Sequence, residues 1–141
     1  MYILDTDHLS LIQRNKEEGK QVLARLAAVQ GIEVAVTVIT YEEQVRGRLN
    51  VLSRAKTLDE QVLAYQGLQQ LATDYQAIVI LPFSRIAALE YQRLRKAYPR
   101  LGNMDLKIAA ISLSNNAILL TRNQSDFGKI VELRTEDWST A

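Results

Sequence analysis

The chain of 141 residues contains no cysteine. That excludes disulfides, zinc–thiolate sites and a thiol nucleophile, and it fits a reducing cytosol. Histidine occurs once, at His8, so a site built from several histidines is excluded and a catalytic triad would have to use this one. No charged-then-apolar leader opens the chain, and no apolar run is long enough to cross a bilayer. The expectation is a cytoplasmic protein without membrane association. A dominant charge is also missing: the net charge of +1 gives no global pull toward nucleic acid, so any basic binding surface must be local. Repeats, low-complexity tracts and linkers are absent too. The length suits one domain with a real core, expected to span residues 1–141.

What is present begins with Tyr2-Ile3-Leu4, a short apolar run that ends in Asp5. Such a run, followed at once by polar residues and a helical pattern, reads as a buried parallel strand. Further strands are expected at Glu33–Val36, at Ala77–Leu81 before Pro82, at Ala117–Thr121 and at Ile130–Leu133. Helical spacing predicts helices over Leu9–Arg14 and over Lys20–Val29, the second with Val22, Leu23 and Leu26 on one face and Gly31 as its stop. Thr37–Leu52 carries Val38, Tyr41, Val45, Leu49 and Leu52 at helical spacing, and Leu58–Ala72 repeats the pattern. Residues 37–72 are therefore expected to form a helical hairpin. Ser84 is placed to cap a helix to Lys96, and Asn103 to cap Met104–Ser114. Strands separated by helices imply parallel pairing, hence an α/β fold of three layers, α/β/α, around a central, mainly parallel sheet.

Acids recur where these elements meet. Asp5 ends the first strand, Glu42 and Glu43 open the helix after the second, Asp105 opens the helix after the Pro99–Gly102 break, and Asp126 lies just beyond the fourth strand. Each has a plain explanation as helix chemistry, since Asp is a good cap and acids suit helix N-termini. Together they fall on one edge of a parallel sheet, the edge where open α/β sheets bind ligands. Converging carboxylates repel one another unless a cation sits among them. Oxygen donors without histidine or cysteine suit a hard ion, Mg²⁺ or Mn²⁺, and such a site would activate water for phosphodiester cleavage.

Four stretches follow one another along the chain: Leu4-Asp5-Thr6-Asp7-His8-Leu9-Ser10, Thr37-Val38-Ile39-Thr40-Tyr41-Glu42-Glu43-Gln44-Val45-Arg46-Gly47, Asp105-Leu106-Lys107-Ile108-Ala109-Ala110 and Leu120-Thr121-Arg122-Asn123-Gln124-Ser125-Asp126-Phe127. In that order they resemble the four motifs of a PIN-domain ribonuclease, specifically the VapC-type toxin of bacterial toxin–antitoxin pairs. The resemblance implies that Asp5, Glu43 and Asp105 hold the metal. Helical phase instead places Glu42 nearer the apolar stripe; the motif spacing favours Glu43. In the fourth motif Asn123 stands where the family has an acid, and Asp126 follows three residues later. On one helical turn the two share a face, which points to a shared role for Asp126. Thr121 matches a hydroxyl that helps hold the site.

Weaker claims attach to four further features. Asp7 is a helix cap or a second acid near the ion. His8 is available as a general base, although a metal-activated water needs none. Arg93, Arg95, Lys96 and Arg100, interleaved with Tyr91 and Tyr98, form either an RNA-tracking rim or a solvated helix face. Trp138 reads as a packing anchor. The resemblance implies a Mg²⁺- or Mn²⁺-dependent endoribonuclease toxin that acts on RNA, forms a homodimer and is held inactive by a cognate antitoxin protein. The alternatives are a PIN nuclease of RNA processing outside a toxin pair, and a degenerate PIN domain that binds RNA or protein without cleaving.

Overall fold

The computed structural model describes residues 1–29 and 31–140; residues 30 and 141 of the expected domain span lie outside them. Five strands, β1 (Tyr2–Leu4), β2 (Val34–Thr37), β3 (Ile80–Leu81), β4 (Ile118–Leu120) and β5 (Arg134–Glu136), form one sheet in the order β3-β2-β1-β4-β5. Every pairing is parallel, with Tyr2 opposite Val34 on one side and Ile118 on the other. Among the described residues, seven α-helices connect them: α1 (Thr6–Gln13), α2 (Glu17–Ala28), α3 (Val38–Arg54), α4 (Leu58–Asp74), α5 (Arg85–Ala97), α6 (Asn103–Ser114) and the single turn α7 (Gln124–Phe127).

Strand alternation sorts the side chains onto two faces. Ile3 and Leu119 join one core with Ala87 and Leu94 of α5 and Leu106, Ile108 and Ile111 of α6. Leu4, Val36 and Leu120 join the other with Leu9 of α1, Val22 of α2 and Trp138. Two apolar clusters on opposite faces make the three layers that the alternation of strands and helices implied. Trp138 is a packing anchor, 2% exposed, with its ring 4.6 Å from that of Tyr2.

The pairing of α1 with α2 depends on Gly19. A Cβ there would lie 2.2 Å from the backbone oxygen of Leu11, and backbone cannot move aside as a side chain can. Gly19→Ala is therefore expected to destabilise the protein by about 2 kcal/mol or more, although alanine is the better helix former by about 1 kcal/mol. Urea unfolding measures this, and an unchanged midpoint contradicts the close approach.

Several boundaries differ from the sequence reading. α1 starts at Thr6, not Leu9, because Asp5 already caps it where the strand ends. Leu23 is 47% exposed; only Val22 of that run is sealed in. β3 has two residues, preceded by a 3₁₀ turn over Tyr75–Ala77. Gly102, not Asn103, is the N-cap residue of α6, since the Asn103 side chain is bound by Tyr91 and Arg95. The last strand is Arg134–Glu136. Ile130 and Leu133 sit in a turn closed by the Leu133 N–H to Ile130 carbonyl bond and pack into the first core, while a polar strand suits the edge of the sheet. α4 runs back along α3, with the Tyr75 hydroxyl just past its end donating to Gln44 Oε1 at 2.7 Å.

Candidate active site

In a parallel sheet all carboxyl ends lie on one edge, and β1 sits where the order reverses between β2 and β4. That is the place where open α/β sheets bind ligands. Asp5 leaves β1 there. Its backbone N–H donates to the Leu120 carbonyl at 3.0 Å, and its side chain accepts the His8 N–H at 2.8 Å. The cap reading is thus right, and Asp5 lines the cleft as well.

Thr37 ends β2 and caps α3, accepting the Thr40 N–H at 3.2 Å. The buried face of α3 carries Ile39 and Thr40, whereas Tyr41 and Leu49 of the expected apolar stripe are exposed. This rotation sends the two glutamates to different places. Glu43, one turn after Thr40, turns into the cleft, where the Thr6 hydroxyl donates to its Oε1 at 2.9 Å and the Thr40 hydroxyl lies 3.0 Å from Thr6 Oγ1. Glu42 points to solvent and pairs with Arg46 at 2.5 Å.

Asp105 stands in the first turn of α6, half-buried. Burial, followed by the charges of Asp126, Glu43 and Asp5, pushes its carboxyl above the usual aspartate range. Asp126, Glu43 and Asp5 thus each lie within electrostatic reach of Asp105. At the end of β4, the buried Thr121 hydroxyl accepts the Asn123 N–H at 3.0 Å. Asn123 caps α7, with its Oδ1 accepting the Asp126 N–H at 3.3 Å and its Nδ2 donating to Asp126 Oδ2 at 3.2 Å. The amide therefore lines the cleft and orients the acid behind it.

The cleft, about 160 Å³, is lined by Asp5, Thr6, Asp7, Glu43, Asp105, Ile108, Asn123 and Phe127, with no basic side chain among them. Asp7 pairs with Arg122 at 3.2 Å. Among the described residues, no three acidic or histidine side chains are set closely enough to coordinate one ion together.

His8 does not reach the cleft. It is fully buried, and its Nε2 accepts the Trp138 N–H at 3.2 Å. Two residues of the expected basic rim are engaged internally. Arg93 pairs with Glu90 and with Glu132, the latter at 2.8 Å. Arg95 donates to the carbonyls of Tyr98 at 2.9 Å and Leu101 at 2.6 Å, tying down the loop that delivers Asp105. Lys96 and Arg100 stay exposed. Thr6 and Thr40 had no assigned role from the sequence. The signal available was their position, Thr6 beside Asp5 and Thr40 one helical turn before Glu43.

No helix among the described residues is long and apolar enough to cross a membrane. The chain is similar to ribonuclease VapC1 of Haemophilus influenzae, 27% identical over 144 residues that span 99% of this chain and 98% of the relative. The structure of VapBC-1 from nontypeable Haemophilus influenzae superposes with a TM-score of 0.77 at 25% identity, covering 99% of this chain and 98% of that one. That of VapBC2 from Rickettsia felis, bound to a DNA fragment from their promoter, gives the same score and identity over 97% and 98%. The cleft opens on the carboxyl edge of a five-stranded parallel sheet flanked by helices, and residues 2–133 match the PIN domain; the chain belongs to the PIN-domain family.

Proposed function

We propose that this chain is the ribonuclease toxin of a type II toxin–antitoxin pair, a Mg²⁺- or Mn²⁺-dependent endoribonuclease that dimerises and is silenced by a cognate antitoxin. The observation that carries this reading is the placing of Asp5, Glu43 and Asp105 along one cleft at the carboxyl edge of the sheet, lined by no basic side chain, with Asp126 held behind it by Asn123. The full-length similarity to ribonuclease VapC1 and to the VapBC structures supports it.

The donor set fits a hard divalent ion. It is all oxygen, and the repulsion that burdens Asp105 is what a cation relieves. Asp5, Glu43 and Asp105 would hold the ion by drawing closer than they stand in the structure, with Asp126 adding charge at the margin. When bound, such an ion supplies Lewis-acid stabilisation of a phosphodiester and lowers the pKa of a water. The protein's own residues do the positioning: Thr6 fixes Glu43, Asn123 orients Asp126, and Arg95 secures the loop before Asp105. Lys96 and Arg100 are the exposed cations of the basic stretch left to meet the RNA backbone. Exposed apolar side chains on α3 and α4, among them Leu49, Val51, Leu58, Val62, Leu63 and Tyr65, offer surface for a second subunit or an antitoxin segment. An antitoxin arginine would pair well with the acids of the cleft.

The test is cleavage of a synthetic single-stranded RNA by purified protein in Mg²⁺, with chelator as control. Wild type is expected to cut, Glu43→Gln to lose about 10²-fold or more, and Glu42→Gln to match wild type. Expression alone should slow growth, and co-expression of a neighbouring small protein should relieve it. An active nuclease without effect on growth would favour RNA processing; a chain that binds RNA but never cuts it would favour a degenerate domain.

A further inference from the structure

The single histidine sits behind the candidate site, facing the C-terminal segment. His8 lies in the first turn of α1 with no exposed surface. Its Nε2 is 3.2 Å from the backbone nitrogen of Trp138. An amide N–H only donates, so Nε2 must be the lone-pair nitrogen, and a neutral ring then carries its proton on Nδ1. Nδ1 is buried and makes no hydrogen bond. The group it faces is Asp5 Oδ1, 3.5 Å away. That distance is beyond a hydrogen bond, and an approach of about 0.5 Å would make one.

We propose that His8 is a positioning residue that couples Asp5 to the C-terminal segment. Its Nε2 is anchored on the Trp138 amide, and its Nδ1–H backs the Asp5 carboxylate on the side away from the cleft. Oδ1 of Asp5 is then addressed twice by one residue, through the backbone N–H at 2.8 Å and the ring N–H behind it. Both fix the rotation of the carboxylate through Oδ1 and leave its second oxygen unengaged by His8. Metal-binding carboxylates depend on such outer partners, whose removal typically lowers metal affinity 10–100-fold.

The anchor is itself well held. Glu136 belongs to β5, its carbonyl accepts the Thr121 N–H at 2.9 Å, and its side chain accepts the Trp138 indole N–H at 2.9 Å. The Trp138 ring packs on Tyr2, and the Arg25 guanidinium lies 4.7 Å from its centre. Asp137 accepts the Ser139 amide at 2.9 Å and the Ser139 hydroxyl at 2.5 Å, and its Oδ1 is 3.7 Å from His8 Nε2. A side chain needed only to fill this space would be apolar. An imidazole with one nitrogen on the tail and the other aimed at an acid of the cleft joins the two.

The inference rests on the metal-dependent reading above, but its test does not need cleavage. His8 and Trp138 are the only residues of their types in the chain, so each gives an unassigned, unambiguous signal. In the full chain labelled with ¹⁵N, the imidazole should be the Nδ1-protonated tautomer, and Mg²⁺ alone should shift its Nδ1 resonance. His8→Gln can still reach the Trp138 amide with its oxygen but offers Asp5 no donor. It should keep the wild-type Trp138 fluorescence and lose about tenfold or more in Mg²⁺ affinity. His8→Asn keeps an N–H near Asp5 and cannot reach the tail. It should keep most of the affinity while Trp138 emission moves toward that of exposed indole. An Nε2-protonated ring in wild type overturns the proposal without any variant, and so does a folded His8→Gln with wild-type Mg²⁺ affinity. If Mg²⁺ binding depends on His8 but no RNA is cut, the proposal stands and the nuclease reading falls. If RNA is cut and His8→Gln binds Mg²⁺ like wild type, the reverse holds.

Discussion

Asp5→Asn is expected to reduce RNA cleavage by about 10²–10³-fold or more, the scale on which loss of one preorganised electrostatic group is felt. The substitution is unusually clean here. Asp5 has two jobs, capping α1 through the His8 N–H and presenting charge to the cleft. Asparagine caps a helix about as well as aspartate, so the first job survives and only the charge is lost. The helix, the β1–β4 pairing and the core behind them should be unaffected, and the thermal midpoint should stay at or above that of wild type in chelator. Single-turnover cleavage at saturating Mg²⁺, run beside a melting curve, reads both. A variant that melts like wild type and cuts like wild type would remove the carboxylate cluster from the reaction altogether.

Asp105→Asn should abolish the Asp105-dependent fall of stability with pH in the metal-free protein. In the fold, burial and the neighbouring charges of Asp126, Glu43 and Asp5 make the Asp105 carboxyl hold its proton to a higher pH than its ordinary value of 3.8. Between those two values the folded state binds more protons than the unfolded one, so stability falls as pH rises. The contribution is fully present below the ordinary value and lost once pH has passed the raised one. Wild type in chelator is thus expected to melt progressively lower as pH rises above about 4, until the raised value is passed, on account of this group. Asp105→Asn removes that slope and should be the more stable protein at pH 7. Mg²⁺ should narrow or reverse the difference, because the ion stabilises the clustered charges only where they are present. Melting curves of both proteins across pH, with chelator and with Mg²⁺, test the sign; an identical slope in the two would mean that the acids do not feel one another.

The sequence by itself determined the frame of this protein. Apolar runs at Tyr2–Leu4, Glu33–Val36 and Ala117–Thr121, separated by helical spacing, dictate a parallel sheet. A parallel sheet in turn dictates that Asp5, Thr37 and Thr121 share an edge. Motif spacing also singled out Glu43 over Glu42, against the apolar stripe. Tertiary structure decided everything that depends on a partner far along the chain. Which face of α3 turns inward is set by Thr40 meeting Thr6, so Tyr41 and Leu49 stay outside despite their spacing. Ile130–Leu133 looks like a strand, yet its apolar side chains are absorbed by the core, and the polar Arg134–Glu136 pairs with β4 instead. Arg95 reads as a surface cation and is bound to backbone carbonyls, while His8 meets an amide 130 positions away. The physical reason is the same in each case. Periodicity records which side of an element is apolar, a local property of side chains one turn or two residues apart. A polar group's partner is chosen by the juxtaposition of distant segments, and that exists only once the cores on both faces of the sheet have closed.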